Sequence, residues 1–293
     1  MHPLIHRVGG YAKVQIARLR RRPVTDEYET GVPSPQLALD LYAGEWASHL
    51  PAGLSQYAAG QTPLFEDARL LWGIDRLGGV EGADVLELGP LEGGHTWQLE
   101  QRGAERITAI EANRRAFLKC LVMKEVVGTT RARFLLGDFM AFLRASPDAR
   151  FDVGIASGVL YHMPEPVELL ARLARACDRL FIWTQYYDRA SVGRRPALAA
   201  RFGQPEQRTY DGFAHTLHPH WYQAARFTPG FCGSGETHPR WMTRDDIVAA
   251  LQRFGHQQVE IGLEELDHPN GPAMALVSMR QSRRRDGSSE GSA

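Results

Sequence analysis

The feature that most constrains this chain is an alternation of strand-like and helix-like stretches between residues 62 and 187. FEDARLLWGIDRL spaces its apolar residues as a helix with one buried face does. ADVLELG is a short apolar run closed by glycine, and GHTWQLEQRG returns to helical spacing up to Gly103. RITAIEA, ARFLLGD, FDVGIASGVL and DRLFIWTQYY repeat the strand pattern. RRAFLKCLVMKEVVG, FMAFLRAS and PVELLARLARAC fall between them as helices. Strands that alternate with helices of this length need crossover connections, so the pattern predicts a doubly wound α/β fold with a mostly parallel sheet.

Outside that stretch the pattern changes. Residues 188–242 are rich in Arg, Pro, Gly, His and aromatics and show little periodicity. TRDDIVAALQRFG restores a helix, with Thr243 as its N-cap, Asp246 three residues on and Gly255 as its stop. QQVEIGLEEL and AMALVSMR read as two final strands around the turn signal HPNG. The organisation expected is an N-terminal extension or cover over 1–61, a main domain over 62–280 and a disordered tail over 281–293. Within the main domain, 188–242 forms an acceptor-side lid. VGGYAKVQIARLRRR, near the start, could form a short basic helix.

Charge and composition narrow the function classes. The 34 basic and 34 acidic residues cancel, but residues 1–25 hold six basic residues and no acid. The last fourteen residues hold four arginines and two acids, which leaves 26–279 with eight more acids than bases. A body of that sign argues against broad binding to a phosphate backbone, so nucleic acid is an open partner that is not favoured. No apolar run reaches the roughly 18 residues of a spanning helix, and the N-terminus lacks the apolar core of a secretory signal. Three widely spaced cysteines (Cys120, Cys177, Cys232) suggest no disulfide framework, and a reducing cytoplasm is the simplest setting.

The chemistry is expected where the strands end. The first strand runs into Glu87-Leu-Gly89-Pro-Leu-Glu-Gly93-Gly94-His-Thr96, and glycine just past a strand lets backbone approach a ligand at the sheet's carboxyl edge. Glu111 follows Gly89 by 22 residues, at the end of the second strand, where a carboxylate can accept from ribose hydroxyls. Asp138 lies 27 residues further on, at the end of the third strand, and can accept from an exocyclic amine or cap FMAFLRA. The fourth strand ends at Ser157, followed by Tyr161 and His162.

The stretch DVLELGPLEGGHT…ITAIEAN…LLGD…FDVGIASGVLYHMPEP resembles the class I S-adenosylmethionine-dependent methyltransferases over about residues 62–188. The VLYH-x-P segment is most similar to small-molecule methyltransferases and tRNA wobble-uridine carboxymethyltransferases. The resemblance implies a Rossmann-like seven-stranded sheet with an antiparallel last strand, and S-adenosylmethionine as cofactor. By position it implies that Gly89 and Gly93 approach the methionine portion and that Glu87 orients their loop or meets the amino group. Glu111 would bind ribose, Asp138 and Phe139 the adenine, and Ser157 would lie near the cofactor. Pro90 departs from the usual small residue and removes one amide donor.

On the acceptor side, His162 is the candidate general base, with Tyr161 beside it. Transfer from a sulfonium needs mainly in-line placement, so a base need not be present. The acceptor pocket is expected to include Tyr161, His162, Tyr186, Arg240 and Trp241, under a cap of aromatics such as Phe227 and Phe231. His215, His218, His220, Glu236 and His238 fit no metal motif, and none is expected. The leading expectation is methyl transfer to a small-molecule or glycan-like acceptor. A tRNA wobble-uridine carboxymethyltransferase-like enzyme and a non-catalytic S-adenosylmethionine-binding subunit stay open. A nicotinamide-dependent oxidoreductase would want a second glycine that Gly89-Pro-Leu-Glu-Gly93 lacks.

Overall fold

The computed structural model describes residues 28–222, 233, 235 and 238–281. The expected basic helix near the start, the tail from 282 onward, and Phe227, Phe231, Cys232 and Glu236 lie outside these described residues.

The alternation folds as the pattern predicts. Seven strands form one sheet: β1 (Asp84–Leu88), β2 (Arg106–Glu111), β3 (Ala132–Leu136), β4 (Phe151–Ser157), β5 (Cys177–Gln185), β9 (Gln258–Glu265) and β10 (Ala273–Met279). Their order is β3-β2-β1-β4-β5-β10-β9. The pairings from β3 to β5 are all parallel, and β10 pairs antiparallel with both β5 and β9. The seven-stranded, mostly parallel sheet with an antiparallel end therefore stands as expected. Its order reverses between β1 and β4, the crevice at which open α/β sheets bind ligands.

Helices cover both faces: α2 (Ala68–Arg76), α3 (Gly94–Gln101), α4 (Arg114–Val127), α5 (Phe139–Ala145), α6 (Pro166–Ala176) and α9 (Arg244–Arg253), after a short α1 (Pro35–Asp40). One apolar layer joins Leu86, Leu88, Ile182 and Leu276 to α6 and α9, and the opposite layer joins Val85, Ile107 and Phe181 to α2. Gly73 lets α2 lie against the sheet, because a Cβ there would stand 2.2 Å from the Phe181 ring. Helix starts follow their cap residues. Asp67, Asn113, Asp138 and Thr243 each accept a hydrogen bond from a backbone N–H in the first turn, worth about 1 kcal/mol apiece.

Two regions depart from a plain cover and a plain lid. Residues upstream of α2 pack as a small third cluster: Leu39, Trp46, Leu50 and Phe65 close on Met123 of α4. The 188–242 segment carries α7 (Arg189–Gly193), α8 (Pro196–Ala199) and a second sheet of β6 (Glu206–Tyr210), β7 (Phe213–Pro219) and β8 (Arg240–Trp241). The β6–β7 hairpin turns at Asp211 and Gly212, both in the left-handed region (φ 46° and 75°) as a two-residue Asp-Gly hairpin turn requires. That Asp-Gly pair was the available signal for a hairpin in a stretch that otherwise reads as irregular.

Candidate functional site

The parallel register lines up the strand ends that carry the chemistry. Leu88 pairs with Ile110, Glu111 with Leu136 and Ser157 with Trp183. The Gly89 N–H donates to the Ile110 carbonyl and the Gly137 N–H to the Glu111 carbonyl, so three strand ends stop at one level. Beyond them lies a cavity of about 810 Å³. Gly89, Glu111, Asp138, Phe139, Ser157, Tyr161 and His162 all line it. Gly233 and Gly235, from the segment between β7 and β8, contribute to its wall.

The first loop is tightly wound. Gly89, Leu91 and Gly93 all have φ in the left-handed region, at 64°, 58° and 81°. For Leu91 this conformation costs on the order of 1–2 kcal/mol, which the surrounding structure must offset. Its N–H donates to Glu111 Oε2 at 3.2 Å, and the Asn113 N–H donates to Glu111 Oε1 at 2.8 Å. The Glu111 carboxylate is thus fixed by two amides, with lone pairs left toward the cavity. Burial nevertheless pushes its carboxyl above the usual carboxylate range.

Glu87 and Gly93 stand behind the lining. Glu87 is fully buried and accepts from the Thr96 hydroxyl at 2.5 Å, and burial raises its carboxyl too. Gly93 opens α3, and a Cβ there would come within 3.2 Å of the Phe134 ring. Both therefore support the loop from beneath. Asp138 keeps both of the uses open to it. Its Oδ1 caps α5, accepting from the Met140 N–H at 2.7 Å, while the side chain borders the cavity next to Phe139.

The cavity wall also holds residues that sequence reasoning missed. Asp67 accepts from Nε and Nη2 of Arg69 and, at 2.9 Å, from the Nε2–H of His95. Although burial pushes the Asp67 carboxyl up, the hydrogen bonds from His95 and Arg69 hold it well below the usual range. The Arg69 guanidinium lies 4.4 Å from the centroid of the Trp183 ring, and Tyr161 meets that ring edge-on at 6.0 Å. Arg69, His95 and Trp183 all line the cavity. The signals were faint: an aspartate before an apolar-periodic run, a histidine after two glycines, and a tryptophan two residues from a strand end.

Tyr161 and His162 sit in a short 3-10 turn after β4. His162 Nδ1 is 2.5 Å from the Tyr222 hydroxyl, and burial, with His220 nearby, lowers the imidazole to about 4. The other expected acceptor residues do not line the cavity. Tyr186 is buried and donates its hydroxyl to Glu264. Arg240 pairs with Glu206 and donates to the Pro164 carbonyl. Trp241 is buried against His220, stacked at 4.8 Å. The expectation erred by reading nearness in sequence to the lid as nearness to the ligand. The histidines disperse: His215 stacks on Phe213 and His218 on Tyr187.

Comparison with known proteins fits this geometry. Residues 86–179 match the family described as methyltransferase domain. Among solved structures, the N-terminal domain of EvdMO1, crystallised in the presence of SAH and D-fucose, superposes with a TM-score of 0.62 at 20% identity, covering 84% of this chain and 95% of that one. The same domain with SAH bound gives 0.63 at 21% identity. Among curated proteins, the tRNA U34 carboxymethyltransferase of Hydrogenovibrio crunogenus is 28% identical over 109 residues, 36% of this chain and 33% of that protein. That of Psychrobacter arcticus is 30% identical over 103 residues, 33% of this chain and 29% of that protein. The chain thus spans about a third of the length of the curated relatives it matches. Residues 86–179 resemble a methyltransferase domain, and the chain shares the fold of the EvdMO1 N-terminal domain. Among the described residues no helix is long and apolar enough to cross a membrane.

Proposed function

We propose that this chain is an S-adenosylmethionine-dependent methyltransferase that acts on a small-molecule or glycan-like acceptor. The observation that carries the reading is the shared cavity wall: Gly89, Glu111 and Asp138, from three successive strand ends, border one space. The residues present fit the cofactor's chemistry. Glu111, its carboxylate fixed by two amides, would accept from both ribose hydroxyls. Asp138 and Phe139 would hold the adenine by its amine and its face. Arg69 and His95, beside the N-terminus of α3, would meet the methionine carboxylate. When bound, the cofactor supplies a sulfonium-activated methyl group as electrophile.

The chain's own part is placement. Tyr161, Trp183 and His162 would wall the acceptor side and exclude water. His162, held neutral by burial, would orient the acceptor through Nε2 while Nδ1 is kept by Tyr222. A glycan-like acceptor is consistent with an aromatic wall and with the structural neighbour crystallised in the presence of SAH and D-fucose. The test is calorimetry with SAH, followed by mass spectrometry of a native extract incubated with the protein and labelled S-adenosylmethionine. Absence of SAH binding would overturn the assignment.

The curated matches favour one second reading, a tRNA-directed enzyme. It predicts tRNA binding that survives deletion of residues 1–22 and falls steeply with salt. With an acidic body, we expect the truncated protein to bind tRNA only weakly.

A further inference from the structure

The five-residue loop under the proposed cofactor is held from outside the sheet. Glu92 is fully buried, yet its carboxylate faces neither the cavity nor solvent. It accepts from the Ala47 N–H at 3.0 Å and the Ser48 N–H at 2.8 Å, and pairs with the Lys119 ammonium. Lys119 also donates to the Glu45 carbonyl at 2.9 Å and lies over the Trp46 ring. The upstream segment is braced in its turn, since the Thr62 and Gln61 N–H groups both donate to the Ala47 carbonyl. The residue immediately before Glu92 is Leu91, the non-glycine residue of this loop with positive φ, whose N–H fixes Glu111.

We infer that Glu92 is a positioning residue for the cofactor: through Ala47, Ser48 and Lys119 it holds Leu91 left-handed and so presents the Leu91 amide to Glu111. The inference rests on the methyltransferase reading and makes residues 45–48 part of the cofactor site, where an extension or cover would have no such role. A side chain without glycine's freedom stays left-handed only if its neighbours compel it. Glu92 supplies that compulsion by three charge-assisted contacts that cannot form unless the loop is wound.

The test is a double-mutant cycle on SAH affinity, with Glu92→Gln, Leu91→Gly and the pair, alongside amide hydrogen exchange at residues 90–93 without ligand. Glu92→Gln keeps the size and loses the charge. It should weaken SAH on the order of tenfold and speed exchange at Leu91. Glycine at 91 needs no compulsion, so in the Leu91→Gly background the same change should cost less than about threefold. Equal losses in both backgrounds, or unaltered exchange at Leu91 in Glu92→Gln, would overturn the inference and leave Glu92 as a structural pair. If the wild-type protein failed to bind SAH, the methyltransferase reading would fall and the cofactor role of Glu92 with it. The exchange data would separately show whether the clasp winds the loop.

Discussion

The carboxyl edge of the main sheet and the 188–242 segment border the same cavity but are built in opposite ways. The sheet edge is set by pairing: parallel ladders bring Leu88, Ile110 and Leu136 level, and the functional residues follow as the next one or two in each chain segment. The 188–242 segment is set by ring contacts between residues far apart. Tyr187 stacks on His218 at 3.6 Å, Phe202 meets His220 at 5.0 Å, and His220 stacks on Trp241. Pairing has a period that sequence displays, whereas a stack of rings has none. The first region therefore announces its site, and the second hides how it reaches it.

The largest effect expected from either region tests the first. Glu111→Ala removes an acceptor already oriented by two amides, and should weaken SAH by about 2–4 kcal/mol. Calorimetry on the folded variant decides it. Unchanged affinity would mean that the strand-end carboxylate is structural, and the proposed division of roles between the two regions would fail.

The next effect asks whether the second region is a removable lid. Leu217 of β7 is fully buried in the layer that holds Leu180, Ile247 and Leu276. Leu217→Ala should cost about 3 kcal/mol of global stability, the ordinary penalty for a large core truncation. A loss below about 0.5 kcal/mol in urea unfolding would show that the segment folds apart from the sheet. On the expected outcome the segment is part of the fold's core and cannot be removed without unseating it.

Legibility in the sequence followed the same divide. The order of strands and helices and the placement of Glu111, Asp138 and Ser157 at strand ends could be read from local periodicity and spacing, whereas the antiparallel last strand came only from the family resemblance. Arg69, His95 and Trp183 could not. Each reaches the cavity through a side chain from a different element, and only the folded register makes them neighbours. Glu92 was invisible for a related reason, since its partners at 47, 48 and 119 come from two elements that no spacing rule connects. Tyr186, Arg240 and Trp241 were placed by sequence proximity, which does not say to which side a ring turns.

Smaller effects come from two buried imidazoles, His220 of the second region and His162 of the turn after β4. Burial, aided by Arg201, lowers His220 to about 4, and burial lowers His162 similarly. Both folded values lie below the usual imidazole value of about 6.5, so between pH 6.5 and 4 the unfolded chain binds more protons. Stability therefore falls as the pH is lowered through that window, by about 1 kcal/mol per pH unit for each group. Both ring nitrogens of His220 are buried without a hydrogen-bond partner among the described residues. His220→Phe should thus raise stability at pH 7 slightly and flatten the pH dependence between 6.5 and 5. An equally steep profile in the variant would assign the slope to His162 instead, because the raised carboxyls of Glu87 and Glu111 act with the opposite sign.

The smallest effect expected is on the rate of transfer in His162→Ala. A general base must change protonation near the working pH, and an imidazole lowered to about 4 stays neutral from pH 6 to 9. Its proton affinity is then too low to draw a proton from a hydroxyl ahead of transfer, while the in-line geometry depends on the strand ends and the cofactor's seat. Removing the ring should leave the rate within about threefold of wild type at every pH in that range, with the loss appearing in acceptor KM more than in kcat. The measurement is the pH profile of label transfer from S-adenosylmethionine to whatever acceptor the extract experiment yields. A fall of a hundredfold or more in kcat, with a new pH dependence, would make His162 the base after all. Because His162 follows β4, the sheet edge would then supply the base as well as the proposed cofactor seat, and the 188–242 segment would take no part in the chemistry.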